Sequence, residues 1–167
     1  MNWLAQQTRP DLSYKVSVLS KSFKQGDTKD MKKLIKIMKL VEKDIKTINI
    51  EKLMGKVWVE TYTDASFNSG KDGNSQVGYL VCLRDEYGHK CPIAWKSRVS
   101  RRVVKSTIEA EALGMGDGME MAIYINELWM ELTGEGKMNV VVKTDSKTLE
   151  RAIKSTEDRH CCIETND

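Results

Sequence analysis

The chain has 167 residues, of which 40% are hydrophobic and 31% are charged, and its formal net charge is +3 at pH 7. This length suits one domain with its own core and a short helical addition, and it leaves little room for two globular domains. No apolar run approaches the roughly 18 residues of a membrane-spanning helix, so we expect neither a membrane span nor a signal peptide.

Positive charge is concentrated at the front of the chain. Residues 1–55 carry 12 Lys or Arg against 6 Asp or Glu, which leaves the remainder net acidic. One basic island interrupts this acidic part, and its members are Lys96, Arg98, Arg101, Arg102 and Lys105. The island is either a phosphate-facing patch or a solvated loop with chance charge, and composition alone favours neither.

Two amphipathic helices are predicted in the front segment. Apolar residues recur at helical spacing after Pro10 and predict a helix over about 10–24, because proline suits a first helical turn. A second apolar stripe runs from Met31 to Ile48, opposite a row of lysines. Together they predict a helical hairpin over 1–50 with a basic outer face. Its apolar stripe packs on a neighbour, or the helix lies on a membrane or binds a partner protein.

From Lys56 onward the apolar period changes from helical to alternating, which is typical of strands. The predicted elements are strand 56–63, strand 76–84, strand 91–96, helix 108–132, strand 138–143 and helix 146–154. A basic loop separates the third strand from the long helix. A three-stranded meander followed by a helix, a strand and a helix predicts an α/β fold with a mixed sheet and flanking helices.

Two of the predicted strands end alike, in Thr-Asp followed by a turn that contains serine. Their acids, Asp64 and Asp145, lie side by side if the two strands are neighbours in the sheet. A third acid can come from the long helix, where Glu109 and Glu111 point about 200° apart, so that only one faces the sheet. Glu111 shares its helical face with Met115, which makes it the expected inward acid.

Clustered carboxylates repel one another unless a cation neutralises them, so these acids predict a site for Mg²⁺ or Mn²⁺. Two such ions about 3.5–4 Å apart can activate a water and stabilise the leaving oxygen of a phosphodiester. The alternative is that the acids are scattered over the surface, since the chain has 24 Asp and Glu in all.

Five stretches occur together in a characteristic order: YTDASF, GNSQVGYLV, PIAWKSR, STIEAEALG and KTDSKTL. Over residues 57–167 they resemble the ribonuclease H domain of copia-type LTR retrotransposon polyproteins. Residues 3–23 resemble the segment in which the reverse transcriptase of such polyproteins ends. The resemblance implies a ribonuclease H-like domain over 56–167, preceded by a reverse transcriptase remnant over 1–50.

The resemblance also implies an activity and a setting. The expected enzyme is an endonuclease that hydrolyses the RNA strand of RNA–DNA hybrids with two divalent ions, Mg²⁺ or Mn²⁺. Its expected partners are the hybrid and the reverse transcriptase portion of the same polyprotein. The expected location is intracellular, in a cytoplasmic retroelement particle or in the nucleus. The alternatives are a catalytically inactive nucleic-acid-binding remnant and an unrelated helical interaction module carried by residues 1–50.

Residue by residue, the resemblance implies four metal-binding, catalytic acids. Asp64 stands in YTDAS, Glu111 in TIEAE and Asp145 in KTDSK, and a late position seven residues after His160 is Asp167. The family's fold continues with a further strand and helix, so the domain is expected to be C-terminally truncated here. A weakened or inactive enzyme is the alternative if the last acid is frayed.

Polar residues beside these acids can donate hydrogen bonds to sugar or phosphate, as the basic island can. They are Ser66, Asn68, Ser106, Thr107 and Ser146. The alternative interpretation is turn and helix-cap chemistry. An enzyme of this class is expected to recognise the shape and the 2′-hydroxyls of the hybrid rather than its base sequence.

Overall fold

The computed structural model describes residues 1–21, 26–67 and 74–155, together with the backbone of 162–165. Its elements in chain order are α1 (Asn2–Gln7), a 3₁₀ turn (Pro10–Leu12), α2 (Ser13–Lys21), α3 (Thr28–Lys43), β1 (Val57–Ser66), β2 (Gln76–Asp85), β3 (Lys90–Val99), α4 (Thr107–Thr133), β4 (Val140–Thr144), α5 (Lys147–Lys154) and β5 (Cys162–Thr165). Among the described residues, no helix is both long and apolar enough to cross a membrane.

The strands form one mixed sheet in the order β3-β2-β1-β4-β5. β1, β2 and β3 are an antiparallel meander, whereas β4 pairs in parallel with β1, and β5 in parallel with β4. α4 connects β3 to β4 and packs on β1 and β2. The predicted α/β fold, a mixed sheet with flanking helices preceded by a helical hairpin, is therefore confirmed.

The main core lies between α4 and the sheet, and its buried members are Val59, Val81, Leu83, Ala122, Ile125 and Met138. Two glycines let α4 approach β1 closely. A Cβ on Gly118 would lie 2.7 Å from Thr63 Cγ2, and a Cβ on Gly114 would lie 3.3 Å from the backbone oxygen of Asp64. The glycines thus bring the first half of α4 against the strand that carries Asp64.

Replacing Gly118 with alanine is expected to destabilise the protein by about 1–3 kcal/mol, because the added methyl group overpacks the interface with β1. Gly116 is the matched control, since a Cβ there would meet nothing within 4 Å. Alanine at Gly116 should instead stabilise the protein by about 0.5–1 kcal/mol through its higher helix propensity. Urea unfolding compares the two variants, and equal free energies of unfolding would contradict the close approach.

The helical hairpin has its own small core and docks on β3. Leu19 of α2 and Ile37 of α3 are buried together in this core. Trp95 of β3 donates a hydrogen bond from Nε1 to the backbone oxygen of Ala5, at 2.7 Å. The front helices therefore pack directly on the edge strand of the sheet.

The predicted bounds of the front helices differ from those observed. The helix predicted over 10–24 begins with a 3₁₀ turn, is described as far as Lys21 and is preceded by a separate helix, α1. α3 ends at Lys43, although the apolar stripe continues to Ile48. The residues that follow, DIKTINI, combine Asp and Asn with β-branched side chains, which have low helix propensity.

The sheet also extends beyond its predicted limits. β3 runs to Val99, so Arg98 lies on a strand and not in the basic loop predicted after residue 96. The antiparallel register with β2 continues past Arg98 and pairs Lys96 with Tyr79. β5 has no counterpart in the prediction, because its 4 residues are too few to display an alternating pattern.

Candidate metal centre

Three carboxylates from three elements meet at one end of the sheet. Asp64 lies near the end of β1, Glu111 in the first turns of α4, and Asp145 directly after β4. Each contributes an oxygen, and these oxygens lie within 4.8 Å of one another. Asp64 and Asp145 are exposed, whereas Glu111 is buried, with 6% of its surface exposed. Chain segments that are distant in sequence thus form one acidic cluster.

The parallel pairing of β1 with β4 explains why the two aspartates are neighbours. Thr63 pairs with Thr144, and each threonine is followed directly by its acid, Asp64 or Asp145. The same ends of parallel neighbouring strands lie at the same edge of a sheet. The repeated Thr-Asp of the sequence therefore becomes a pair of adjacent carboxylates.

Glu111 faces the acidic cluster, and Glu109 faces solvent. The carboxylate of Glu109 accepts a hydrogen bond from the backbone N–H of Lys105 at 2.8 Å, and its own N–H donates to Ser106 Oγ at 3.2 Å. This arrangement resembles a capping box, which stabilises the start of a helix. Glu109 therefore stabilises the first turn of α4.

The electrostatics of Glu111 are those of a carboxylate that a cation would stabilise. The pKa of Glu111 is raised to about 7, first by burial and then by the negative charges of Asp145 and Asp64. Its Oε2 is buried, and it has no hydrogen-bond partner within the described ranges. A buried carboxylate oxygen without a partner is costly, and a cation would satisfy it. The three acids fit a hard divalent ion, which prefers carboxylate oxygens.

The remaining predicted site residues fall into several groups. Asp167 and Asn68 lie outside the described residues. Ser66 is exposed at the end of β1, two residues beyond Asp64, and Thr107 is exposed at the first position of α4. Ser66 also lines the cleft that contains Asp64 and Asp145, whereas Thr107 does not.

Ser106 and Ser146 are helix N-caps. The Ser106 hydroxyl accepts a hydrogen bond from the N–H of Glu109, and the Ser146 hydroxyl accepts one from the N–H of Leu149 at 3.3 Å. This is the cap chemistry that the sequence left open as the alternative to substrate contacts.

The structure divides the basic island. Arg98 donates two hydrogen bonds to Asp117 of α4, from Nε to Oδ2 at 2.7 Å and from Nη2 to Oδ1 at 2.8 Å. Arg101, Arg102 and Lys105 are exposed between β3 and α4. Arg98 therefore ties a strand to a helix, whereas the other three present their charge to solvent.

Sequence reasoning missed two features that shape the site. Gly114 and Gly118 set the distance between α4 and β1, and isolated glycines within a helical pattern were the signal for a close approach. Ser13 and Tyr14 of α2 line a cleft that also contains Asp64. No local pattern joins residues this far apart in the chain.

The chain is similar in sequence to a transposon polyprotein. No family model matches the chain. The retrovirus-related Pol polyprotein from transposon RE1 of Arabidopsis thaliana is 30% identical to it over 126 residues. The match covers 75% of this chain and 8% of the polyprotein, so the chain spans a small part of that relative. The predicted resemblance to retrotransposon polyproteins is confirmed by this match.

The solved structures that are similar to the chain include two RNase H1 proteins. RNase H1 from the halophilic archaeon Halobacterium salinarum NRC-1 is 16% identical, with a TM-score of 0.45. LC11-RNase H1 in complex with an RNA/DNA hybrid is 15% identical, with a TM-score of 0.41. Each match covers 65% of this chain and 84% of the solved chain.

Proposed function

We propose that this chain, a relative of the retrovirus-related Pol polyproteins of transposons, is a ribonuclease H that hydrolyses the RNA strand of RNA–DNA hybrids. The proposal rests on the meeting of Asp64, Glu111 and Asp145, whose oxygens lie within 4.8 Å of one another. Carboxylates gathered in this way hold the divalent ions of many enzymes that cut phosphodiester bonds.

The three acids have different parts in the proposed mechanism. Two Mg²⁺ or Mn²⁺ ions, when bound, activate a water and stabilise the leaving oxygen. Asp64 and Asp145 are exposed, so their carboxylates can hold the ions where a backbone phosphate can approach. Glu111 is packed beneath them, and its burial limits the movement of its carboxylate. Asp167 completes the proposed ligand set as the fourth acid.

The proposed setting is a polyprotein. Residues 56–167 would be its ribonuclease H-like domain, and residues 1–50 the end of its reverse transcriptase, which would be the partner of this chain. The proposed location is a retroelement particle in the cytoplasm, or the nucleus. The name of the Arabidopsis relative supports the polyprotein context.

Gel cleavage of a labelled RNA–DNA hybrid tests this function. We expect the RNA strand to be cut with Mg²⁺ or Mn²⁺ and to stay intact in EDTA, because the carboxylates act only by holding the ions. The same RNA as a single strand and a DNA duplex are the substrate controls, and both should survive. An intact hybrid under every metal condition would contradict the proposal.

A second candidate is a nucleic-acid-binding remnant without catalysis. Residues 1–55 favour this candidate, because they contain 12 basic residues and only 6 acidic ones. The exposed lysines of α3 favour it too, among them Lys32, Lys36 and Lys39. Such a surface attracts phosphate without regard to sequence. Retention of an uncut hybrid in a binding assay, with metal present, would select this candidate.

The division of the basic island leads to a prediction on substrate binding. Replacing Arg101, Arg102 and Lys105 together with glutamine should weaken hybrid binding, and each lost phosphate contact should reduce the slope of log K against log salt by about 0.9. Arg98→Gln is the comparison, because Arg98 is paired with Asp117. It should lower the free energy of unfolding by about 1–3 kcal/mol and leave the slope unchanged.

Salt titrations of binding and urea unfolding of both variants distinguish the two effects. An unchanged slope in the triple variant would show that these residues form only a solvated turn. The front helices would then be the part of the chain that binds the hybrid.

A further inference from the structure

A cleft of about 570 Å³ lies between α2 and the sheet, and it contains part of the acidic cluster. Asp64 and Asp145 line it together with Ser13 and Tyr14 of α2, and Lys96 of β3 also lines it. The front helices therefore form a wall of the space beside the proposed metal centre. A ligand that reached the acids through this cleft would touch α2.

The wall is held in place by a buried polar side chain. Gln76 of β2 is 4% exposed, and its Nε2 donates to Ser17 Oγ of α2 and to Ser97 Oγ of β3, each at 2.9 Å. Gln76 also lines the cleft, and within the described part of the chain its Oε1 is a buried acceptor without a hydrogen-bond partner. The side chain that ties α2 to β3 therefore lies beside the cleft.

Four aromatic residues line the cleft, namely Tyr14, Tyr62, Tyr79 and Trp95, and of these Tyr14 belongs to the exposed class, at 53%. Trp95 donates its indole N–H to the backbone oxygen of Ala5. The hydroxyl of Tyr62 donates to Glu60 Oε2 at 2.8 Å. Trp95 and Tyr62 are therefore engaged within the protein, whereas most of the Tyr14 side chain meets solvent.

We propose that this cleft binds the nucleic-acid strand that flanks the cleaved bond, with Tyr14 packed on a sugar and Lys96 in contact with a phosphate. The inference rests on the proposed ribonuclease H function. RNA-like duplexes expose sugars and 2′-hydroxyls in a wide, shallow minor groove. An aromatic ring can pack against such a sugar. Lys96 lines the same cleft and offers a cation for the phosphate that follows a sugar. α2 is thus part of the substrate site, although it precedes the ribonuclease H-like sheet.

Binding of a fluorescent RNA–DNA hybrid to the full chain in EDTA tests Tyr14 without cleavage. Tyr14→Ala is expected to raise Kd about tenfold, in line with the loss of one aromatic contact to nucleic acid. Tyr14→Phe keeps the ring and should stay within about twofold of the unchanged protein. Tyr87→Ala is the matched control, because Tyr87 is 66% exposed in the turn between β2 and β3, at the other end of the sheet. It should leave Kd unchanged.

Lys96 has its own test in the salt dependence of the same binding. Lys96→Gln should weaken binding and reduce the salt slope by about 0.9, the value for one phosphate contact. Lys137→Gln is the control, since Lys137 is exposed in the loop before β4, away from the acids. Its slope should equal that of the unchanged protein.

The outcomes separate this inference from the function on which it rests. With Mg²⁺, Tyr14→Ala should raise KM about tenfold and leave kcat within about threefold, because the ring binds substrate without touching the reacting atoms.

If the unchanged protein binds the hybrid without cutting it, the ribonuclease H proposal fails, and the EDTA measurements still decide the role of the cleft. If it cuts the hybrid and Tyr14→Ala binds and cuts equally well, the cleft inference is overturned alone. If it does not bind the hybrid, both are overturned.

Discussion

Asp64→Asn and Asp145→Asn are each expected to reduce metal-dependent cleavage of an RNA–DNA hybrid by at least about a thousandfold, since ion binding supplies several kcal/mol of transition-state stabilisation. In EDTA, the thermal transition of each variant should be unchanged or raised. The three carboxylates repel one another in the metal-free protein, and removal of one charge relieves that repulsion. Cleavage rates with Mg²⁺ and calorimetry in EDTA measure the two effects.

Glu127→Gln is the matched control for this pair of variants. Glu127 is an exposed acid in the second half of α4, far along the helix from Glu111. Its replacement should leave both cleavage and the thermal transition unchanged. A cleavage rate equal to that of the unchanged protein in either aspartate variant would show that the two-metal assignment is wrong.

The two glutamates of α4 should respond in opposite ways. Glu111→Gln is expected to abolish metal-dependent cleavage and to raise stability in EDTA, because it removes a buried charge from a repulsive cluster. Glu109→Gln is expected to retain cleavage and to lose about 0.3–1 kcal/mol of stability, because it removes a negative charge from the first turn of a helix. Cleavage assays and urea unfolding of both variants check the pair.

The pH dependence of stability provides a further readout for Glu111. The pKa of Glu111 is about 7 in the folded, metal-free protein, whereas the ordinary pKa of a glutamate is 4.5. The folded state therefore holds a proton that the unfolded state has released, and this contribution to stability is lost as pH rises from 4.5 through about 7. Glu111→Gln should lack this pH-dependent loss of stability, whereas Glu109→Gln should show it.

In the cleavage assays, an inactive Glu109→Gln together with an active Glu111→Gln would contradict the orientation of α4 described above.

The sequence predicted which acids could meet, because two regular patterns place Asp64, Glu111 and Asp145 at the ends or faces of their elements. Alternation fixed the strands that carry Asp64 and Asp145, and helical geometry placed Glu109 and Glu111 on different faces. The closeness of the two aspartates needed one further fact, the parallel pairing of β1 with β4, which no local pattern specifies. The order of the sheet was therefore the step that only the structure could supply.

Other features depend on contacts between distant segments and were inaccessible to a local pattern. Arg98 was predicted to face phosphate as part of the basic island, but it is paired with Asp117 of α4, and that pairing depends on how the helix crosses the sheet. Tyr14 joins the cleft beside Asp64 because α2 docks on β3. Neither contact has a signature in the neighbouring sequence. The meeting of the three acids could thus be anticipated from the sequence, and their surroundings could not.

Calorimetric titration of Mn²⁺ into the unchanged protein and into Asp145→Asn tests the central claim, that the acidic cluster is a divalent metal site. The titration is best done at pH 8, above the pKa of about 7 of Glu111, so that protons do not compete with the metal. We expect saturable binding to the unchanged protein and at least about tenfold weaker binding to the variant, which lacks one charged ligand. Identical binding curves for the two proteins, or no binding to either, would contradict the account.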